Sequence, residues 1–262
     1  MEVIIQRDAD AASLLAARVI ESELRANPRL VLGLATGRTM ERVYAHLTRM
    51  HREEKLNFAR CRTFNLDEYI GISPDDPRSY HFFMRRHLFN RVSIPARNTR
   101  LPDGTARDLP SAARRYEKLI RRAGGIDLQL LGIGRAGHIG FNEPLSALMS
   151  RTREKALTPM TQRQNAPMFG GDPRRVPARA ITVGVGTILE SRRCLLVATG
   201  AEKAAILAKA VEGPITSMIT ASALQLHPRC TVIVDEAAAK KLKGKTYYRW
   251  LFENEPDWAA FR

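Results

Sequence analysis

Buried apolar runs that stop abruptly at glycine, asparagine or a carboxylate constrain this chain most. LVLGLA (30–35) is apolar without interruption, and IDLQLLGIG (126–134) is nearly so. A strand that is apolar on both faces needs cover on both faces, the condition of a parallel sheet between helical layers. VII (3–5), CRTFNL (61–66), AITVGV (180–185), CLLVATG (194–200) and CTVIVDE (230–236) read as further strands, with Asp67-Glu68-Tyr69 as the stop after the third. Helical patterns alternate with them. One is capped by Asp8 or Asp10, carries Leu14, Leu15, Val19 and Ile20, and ends near Pro28. Others run to about His51, over 79–89 and 110–122, from near Ala201, and through the tail. No repeat, linker or biased tract interrupts the series, so residues 1–262 read as one α/β domain, with a mostly parallel sheet and helices on both faces. Phe, Trp and Tyr make up only 6% of the residues, so the core is mainly aliphatic.

Open sheets of this kind bind ligands beyond the carboxyl ends of their strands. Four loops there carry chemistry. Thr36-Gly37-Arg38-Thr39 joins a strand to a helix: the glycine permits a sharp turn, backbone N–H groups and the helix N-terminus attract an anion, and Arg38 offers a charged fork. Without a ligand, the same loop is a tight turn with an N-cap threonine. Thr199-Gly200-Ala201-Glu202-Lys203 repeats the theme. It puts Lys203 in a first helical turn, where the dipole disfavours a cation unless an anion sits there. Asp67 or Glu68, at a strand end, has the burial that raises a carboxylate toward general-base use; the other caps a turn. The stretch from Gly134 to Pro144 joins His138 to Glu143 among glycines, a proton-shuttling imidazole with a carboxylate to orient it.

Other classes fit poorly. The chain has 42 Lys and Arg against 27 Asp and Glu, a formal net charge of +15. The positives are scattered as pairs, except for the run Lys240-Lys241-Leu242-Lys243-Gly244-Lys245, and no nucleic-acid motif accompanies them. A solvated surface that attracts an anionic metabolite is the better reading, with no nucleic-acid partner. No apolar run approaches the ~20 residues of a membrane span. Cys61, Cys194 and Cys230 are odd in number and widely spaced, which predicts core thiols in a cytoplasmic protein. Gly132-x-Gly134-x-x-Gly137 matches the dinucleotide fingerprint in letters, but Pro144 would cut short the helix that must follow. Neither His46/His51 nor His81/His87 has the spacing of a helical metal pair, and no G-x-S-x-G elbow is present.

Phe64-Asn65-Leu66-Asp67-Glu68-Tyr69, the run from Gly137 through His138, Phe141, Asn142 and Glu143 to Pro144, Thr182-Val183-Gly184-Val185-Gly186-Thr187 and Leu224-Gln225-Leu226-His227-Pro228 together resemble the glucosamine-6-phosphate deaminase (isomerase) family. The resemblance runs in order over nearly the whole chain. It implies a Rossmann-like, doubly wound α/β fold and an amino-sugar phosphate isomerase and deaminase, a hydrolase in that water is consumed. Glucosamine 6-phosphate would become fructose 6-phosphate and ammonia with no cofactor or metal. It also implies catalytic roles for Asp67, His138 and Glu143. Thr36, Gly37, Arg38, Thr39, Gly137 and Lys203 would bind substrate and its phosphate. A homo-oligomer is implied, with a hexamer among the family's states, and Ser146, Arg153 and Lys155 match part of an effector site.

Three positions depart from the family pattern. Ala136 stands where a polar residue usually completes the histidine relay. Pro167, in Asn165-Ala166-Pro167, stands where a phosphate-binding arginine is usual. Arg38 stands where glycine or serine is usual, and is expected to replace that missing guanidinium. The altered phosphate loop keeps a galactosamine 6-phosphate enzyme open as an alternative. Ala136 and Pro167, in place of the usual residues, keep open a sugar-phosphate-binding regulator that has lost catalysis.

Overall fold

The computed structural model describes all 262 residues. In chain order the elements are β1 (Glu2–Gln6), α1 (Ala9–Ala26), β2 (Val31–Leu34), α2 (Arg38–Glu53), β3 (Arg62–Asn65), β4 (Asp67–Tyr69), α3 (Tyr80–His87), β5 (Thr99–Arg100), α4 (Leu109–Arg122) and β6 (Leu128–Leu131). Then follow β7 (Arg153–Ala156), α5 (Pro159–Asn165), β8 (Arg179–Thr182), α6 (Val185–Leu189), β9 (Arg193–Ala198), α7 (Ala204–Glu212), β10 (Cys230–Asp235) and α8 (Lys245–Asn254).

Seven strands form one parallel sheet in the order β1-β10-β9-β6-β2-β3-β5. Every residue of β2, β6 and β10 is buried, so helices cover both faces, as the apolar runs require. The chain moves outward from β2 to β3 and β5, then returns to β6 on the other side of β2. The sheet therefore reverses direction between β2 and β6, the place where such sheets open a crevice. Side-chain caps fix the helix starts: Asp8, Ser79, Asp108 and Thr158 accept backbone N–H groups of α1, α3, α4 and α5.

A second, three-stranded antiparallel sheet has the order β4-β8-β7. It corrects three readings. Asp67–Tyr69 is a strand rather than a stop, 179–182 pairs antiparallel with it instead of joining the parallel series, and β7 has no counterpart among the expected strands. Leu66 makes the transfer: its N–H donates to Leu34 O of the large sheet at 3.0 Å, and its carbonyl accepts the Val183 N–H at 2.7 Å. Around the small sheet an aromatic core forms from Tyr69, Tyr80, Phe141 and Phe169, apart from the aliphatic core of the large sheet. The helix expected from Ala201 begins as a 3-10 turn and becomes α7 only at Ala204.

Candidate active site

A cavity of about 610 Å³ opens beyond the carboxyl ends of β2, β6 and β9, with β4 and α5 closing its other side. Its wall includes Thr36, Gly37, Arg38, Thr39, Asp67, His138 and Lys203. The fold thus brings together the acid-base candidates and most of the anion-binding ones.

Asp67 and Glu68 point to opposite faces of β4, and their fates differ. Glu68 is spent on structure: it accepts the backbone N–H groups of Tyr69, Tyr80 and His81 and faces the His81 Nδ1 at 2.8 Å. That anchors the first turn of α3 to β4. Asp67 is only 6% exposed, yet its carboxylate has no hydrogen-bond partner and faces the cavity. Burial, with the neighbouring Glu68 charge adding to it, pushes its pKa up to about 8. An unpaired, buried, shifted carboxylate in a crevice is the physical signature of a proton-transfer group.

His138 sits on a turn whose backbone explains its glycines. The Gly137 N–H donates to Gly134 O, and the Gly134 N–H to His138 O, both at 2.9 Å. A Cβ at Gly134 would stand 2.0 Å from His138 Nε2, so only glycine lets the imidazole fold back over the turn. His138 Nδ1 lies 3.4 Å from Glu143 Oε2, and both side chains are nearly sealed from solvent. Glu143 does not reach the cavity; it stands behind the histidine and accepts the Thr158 N–H at 3.0 Å and the Thr158 hydroxyl at 3.2 Å. Burial raises its pKa, but His138, Thr161 and the Thr158 N–H outweigh that and hold it below the usual carboxylate range. Ala136 adds no polar atom, so Glu143 is the carboxylate that stands beside His138 Nδ1, which makes no hydrogen bond.

The anion-binding candidates share a corner of the cavity wall. Gly37 has φ of 110°, and the 16-residue α2 that starts after it has no side-chain N-cap. Its first N–H groups therefore face the cavity with the dipole's positive end. Thr39 Oγ1 and Thr199 Oγ1 are 3.4 Å apart, which sets the two phosphate-type loops side by side. Asp235, at the end of β10, holds the second loop by accepting the Gly200 N–H at 3.1 Å. Lys203 donates to Ile133 O at 2.7 Å, and burial lowers its pKa. Arg38 is exposed in the cavity wall and pairs with no carboxylate.

Other candidates lie elsewhere. Gly137 does not line the cavity; with φ of 81° it packs against Ile206 and Ile219, whose atoms a Cβ would meet at 2.9 and 2.6 Å. Ser146, Arg153 and Lys155 are likewise outside it: Ser146 is buried, and Arg153 and Lys155 share one face of β7. Arg153 donates to Asn142 Oδ1 at 2.9 Å. No helix follows Gly137, so the Gly132-Gly134-Gly137 loop lacks the N-terminus that a dinucleotide pyrophosphate requires. No three His, Cys, Asp or Glu side chains converge as metal ligands. The sequence reading missed Tyr80, Arg135, Arg163 and Asn165 in the wall. Asn165 Nδ2 and the Tyr80 hydroxyl both donate to the Tyr69 hydroxyl, at 2.9 and 3.3 Å, linking α5, α3 and β4 behind the cavity.

Residues 6–233 match the family described as glucosamine-6-phosphate isomerases/6-phosphogluconolactonase. The chain is 48% identical to the glucosamine-6-phosphate deaminase of Arthrobacter sp. (strain FB24), over 98% of this chain and 99% of that one. It is 49% identical to that of Hahella chejuensis, over 96% and 95% respectively. The chain belongs to the glucosamine-6-phosphate deaminase family. A solved structure of a monomeric glucosamine-6-phosphate deaminase superposes with a TM-score of 0.90 at 43% identity, covering 92% of this chain and 100% of that one. The 6-phosphogluconolactonase of Trypanosoma brucei, at 20% identity and a TM-score of 0.72, shares the fold. The match to the deaminase family's model ends before α8, which packs against β1, away from the cavity wall.

Proposed function

We propose that this chain converts D-glucosamine 6-phosphate and water to D-fructose 6-phosphate and ammonia. The observation that carries the reading is Asp67: a buried carboxylate without a partner, in one cavity with a carboxylate-backed histidine and an uncapped helix N-terminus. The substrate's phosphate lies at the α2 N-terminus with Thr36, Gly37, Thr39, Arg38 and Lys203. His138, oriented by Glu143, takes the proton from the O1 hydroxyl and returns it to the ring oxygen, so that the ring C1–O5 bond breaks and the open aldehyde forms. Asp67 removes the C2 proton and delivers it to C1, while a proton leaves the amine nitrogen and one reaches O1, leaving a C1 hydroxyl and a C2 imine. Water adds at C2 and ammonia leaves, so the net reaction consumes one water. A regulator that only bound sugar phosphate would have no use for an unpaired buried carboxylate, which costs folding stability above its ordinary pKa.

Ammonia release from glucosamine 6-phosphate, with galactosamine 6-phosphate alongside, tests this. Asp67→Asn is expected to lower kcat by about 10²–10⁴-fold. Asp67 works ionised, so kcat/KM rises with pH through about 8 and then levels. Release from the galacto compound alone would overturn the substrate assignment, and full activity in Asp67→Asn would overturn the base.

Four further readings go with it. Residues 1–262 are taken as one domain, because the Leu66–Val183 bond ties the two sheets together. The three buried free thiols support a cytoplasmic location. The homo-oligomer expected from the resemblance stands against a structural neighbour described as monomeric. Light scattering decides it, and a mass near 29.4 kDa overturns the oligomer. Ser146, Arg153 and Lys155 are read as an effector site; rates unchanged by N-acetylglucosamine 6-phosphate would remove that role.

A further inference from the structure

Pro167 lines the cavity and brings no charge, but another cation reaches the same corner. The Gly134–Gly137 turn, closed at 2.9 Å, makes Arg135 and Ala136 its two central residues, whose side chains project away from the turn. The Arg135 N–H donates to Gln164 Oε1 of α5 at 2.8 Å, so the turn is tied to that helix as well as to the end of β6. Arg135 lines the cavity, is exposed, and its guanidinium makes no ion pair or hydrogen bond. Its neighbour there is Lys203, tied to Ile133 of the same loop at 2.7 Å. Burial chiefly, and the Arg135 charge in part, lower the Lys203 pKa against the opposing pull of Glu202. A guanidinium set beside a half-buried ammonium makes physical sense when an anion lies between them. Across the corner, the Thr39–Thr199 contact brings the uncapped α2 N-terminus within reach of the Lys203 loop.

We infer that Arg135 is a phosphate-binding residue of this chain, gripping the substrate's phosphate together with Lys203 and the α2 N-terminus; this rests on the sugar-phosphate reading above. A guanidinium offers the phosphate two parallel donors, which the Pro167 position lacks. The chain thus moves its phosphate arginine from the 3-10 turn that follows α5 to the turn that also carries His138. Phosphate position and imidazole position are then set by one rigid piece of backbone.

The test compares Arg135→Gln, Arg135→Lys and the remote surface variant Arg122→Gln. KM for glucosamine 6-phosphate and calorimetric affinity for inorganic phosphate are the readouts. Arg135→Gln is expected to raise KM by about 10–100-fold and to weaken phosphate binding in step, with kcat within about threefold of the parent. Arg135→Lys is expected to fall between, and Arg122→Gln to match the parent. Parental KM and phosphate affinity in Arg135→Gln would overturn the inference, as would an equal loss in Arg122→Gln, which would show a bulk-charge effect. Phosphate binding needs no turnover. If the parent releases no ammonia while Arg135→Gln still loses phosphate, the grip stands and the substrate assignment falls. If the parent turns over and Arg135→Gln binds phosphate normally, the reverse holds.

Discussion

The two sheets divide the work of the site unequally. The seven-stranded parallel sheet supplies loops: the α2 N-terminus, the His138 turn and the Lys203 loop all spring from its strand ends. The three-stranded antiparallel sheet supplies a wall, and carries Asp67 itself as the first residue of β4. The first is aliphatic and continuous, the second aromatic and held by side-chain hydroxyls and amides. A crevice at a sheet's reversal point holds an anion by geometry alone. The second layer adds a carboxylate that it buries without satisfying, the group on which the proposed acid-base step relies.

Three substitutions probe that division. Gly134→Ala acts on a loop of the large sheet and has the largest expected effect. The new Cβ drives the His138 ring out of place, and kcat is expected to fall by about 10²-fold with secondary structure intact by circular dichroism. Parental kcat would show that imidazole placement does not depend on the turn. Arg38→Ala, at the anion corner, is expected to raise KM for the phosphorylated sugar by about tenfold. An unchanged KM would leave the corner to Arg135 and Lys203. Tyr69→Phe acts on the small sheet, removing the hydroxyl shared by Tyr80 and Asn165. It is expected to cost about 1 kcal/mol, a fall on the order of 2–4 °C in Tm, with KM for the phosphate group unchanged. A rise in KM without loss of stability would mean that the small sheet also shapes the anion corner.

The same division governs what the sequence reveals. LVLGLA and IDLQLLGIG announce buried parallel strands because burial on both faces leaves a local apolar record. REKA at β7 leaves none: it is partly exposed, charged, and becomes a strand only because β8 lies beside it. Asp67, His138 and Lys203 are legible because they stand at the ends of readable strands. Tyr80 and Asn165 are not, since two helices, α3 and α5, deliver them to the cavity through tertiary packing. Arg135 lies inside the stretch read most closely, but glycine spacing alone does not say which way the turn aims its side chain. Glu68 and Asp67 look interchangeable as letters, and only the four bonds made by Glu68 tell them apart.

β1 has a single neighbour in the large sheet, and that neighbour is β10. During synthesis β1 leaves the ribosome well before β10, and so waits for it before it pairs in this sheet at all. Asp235, the final residue of β10, is also the anchor of Gly200 in the Lys203 loop. The anion corner therefore closes only when the sheet closes, and a nascent chain that stops short of that residue has a histidine turn and a buried carboxylate but nothing firm to hold a phosphate against them.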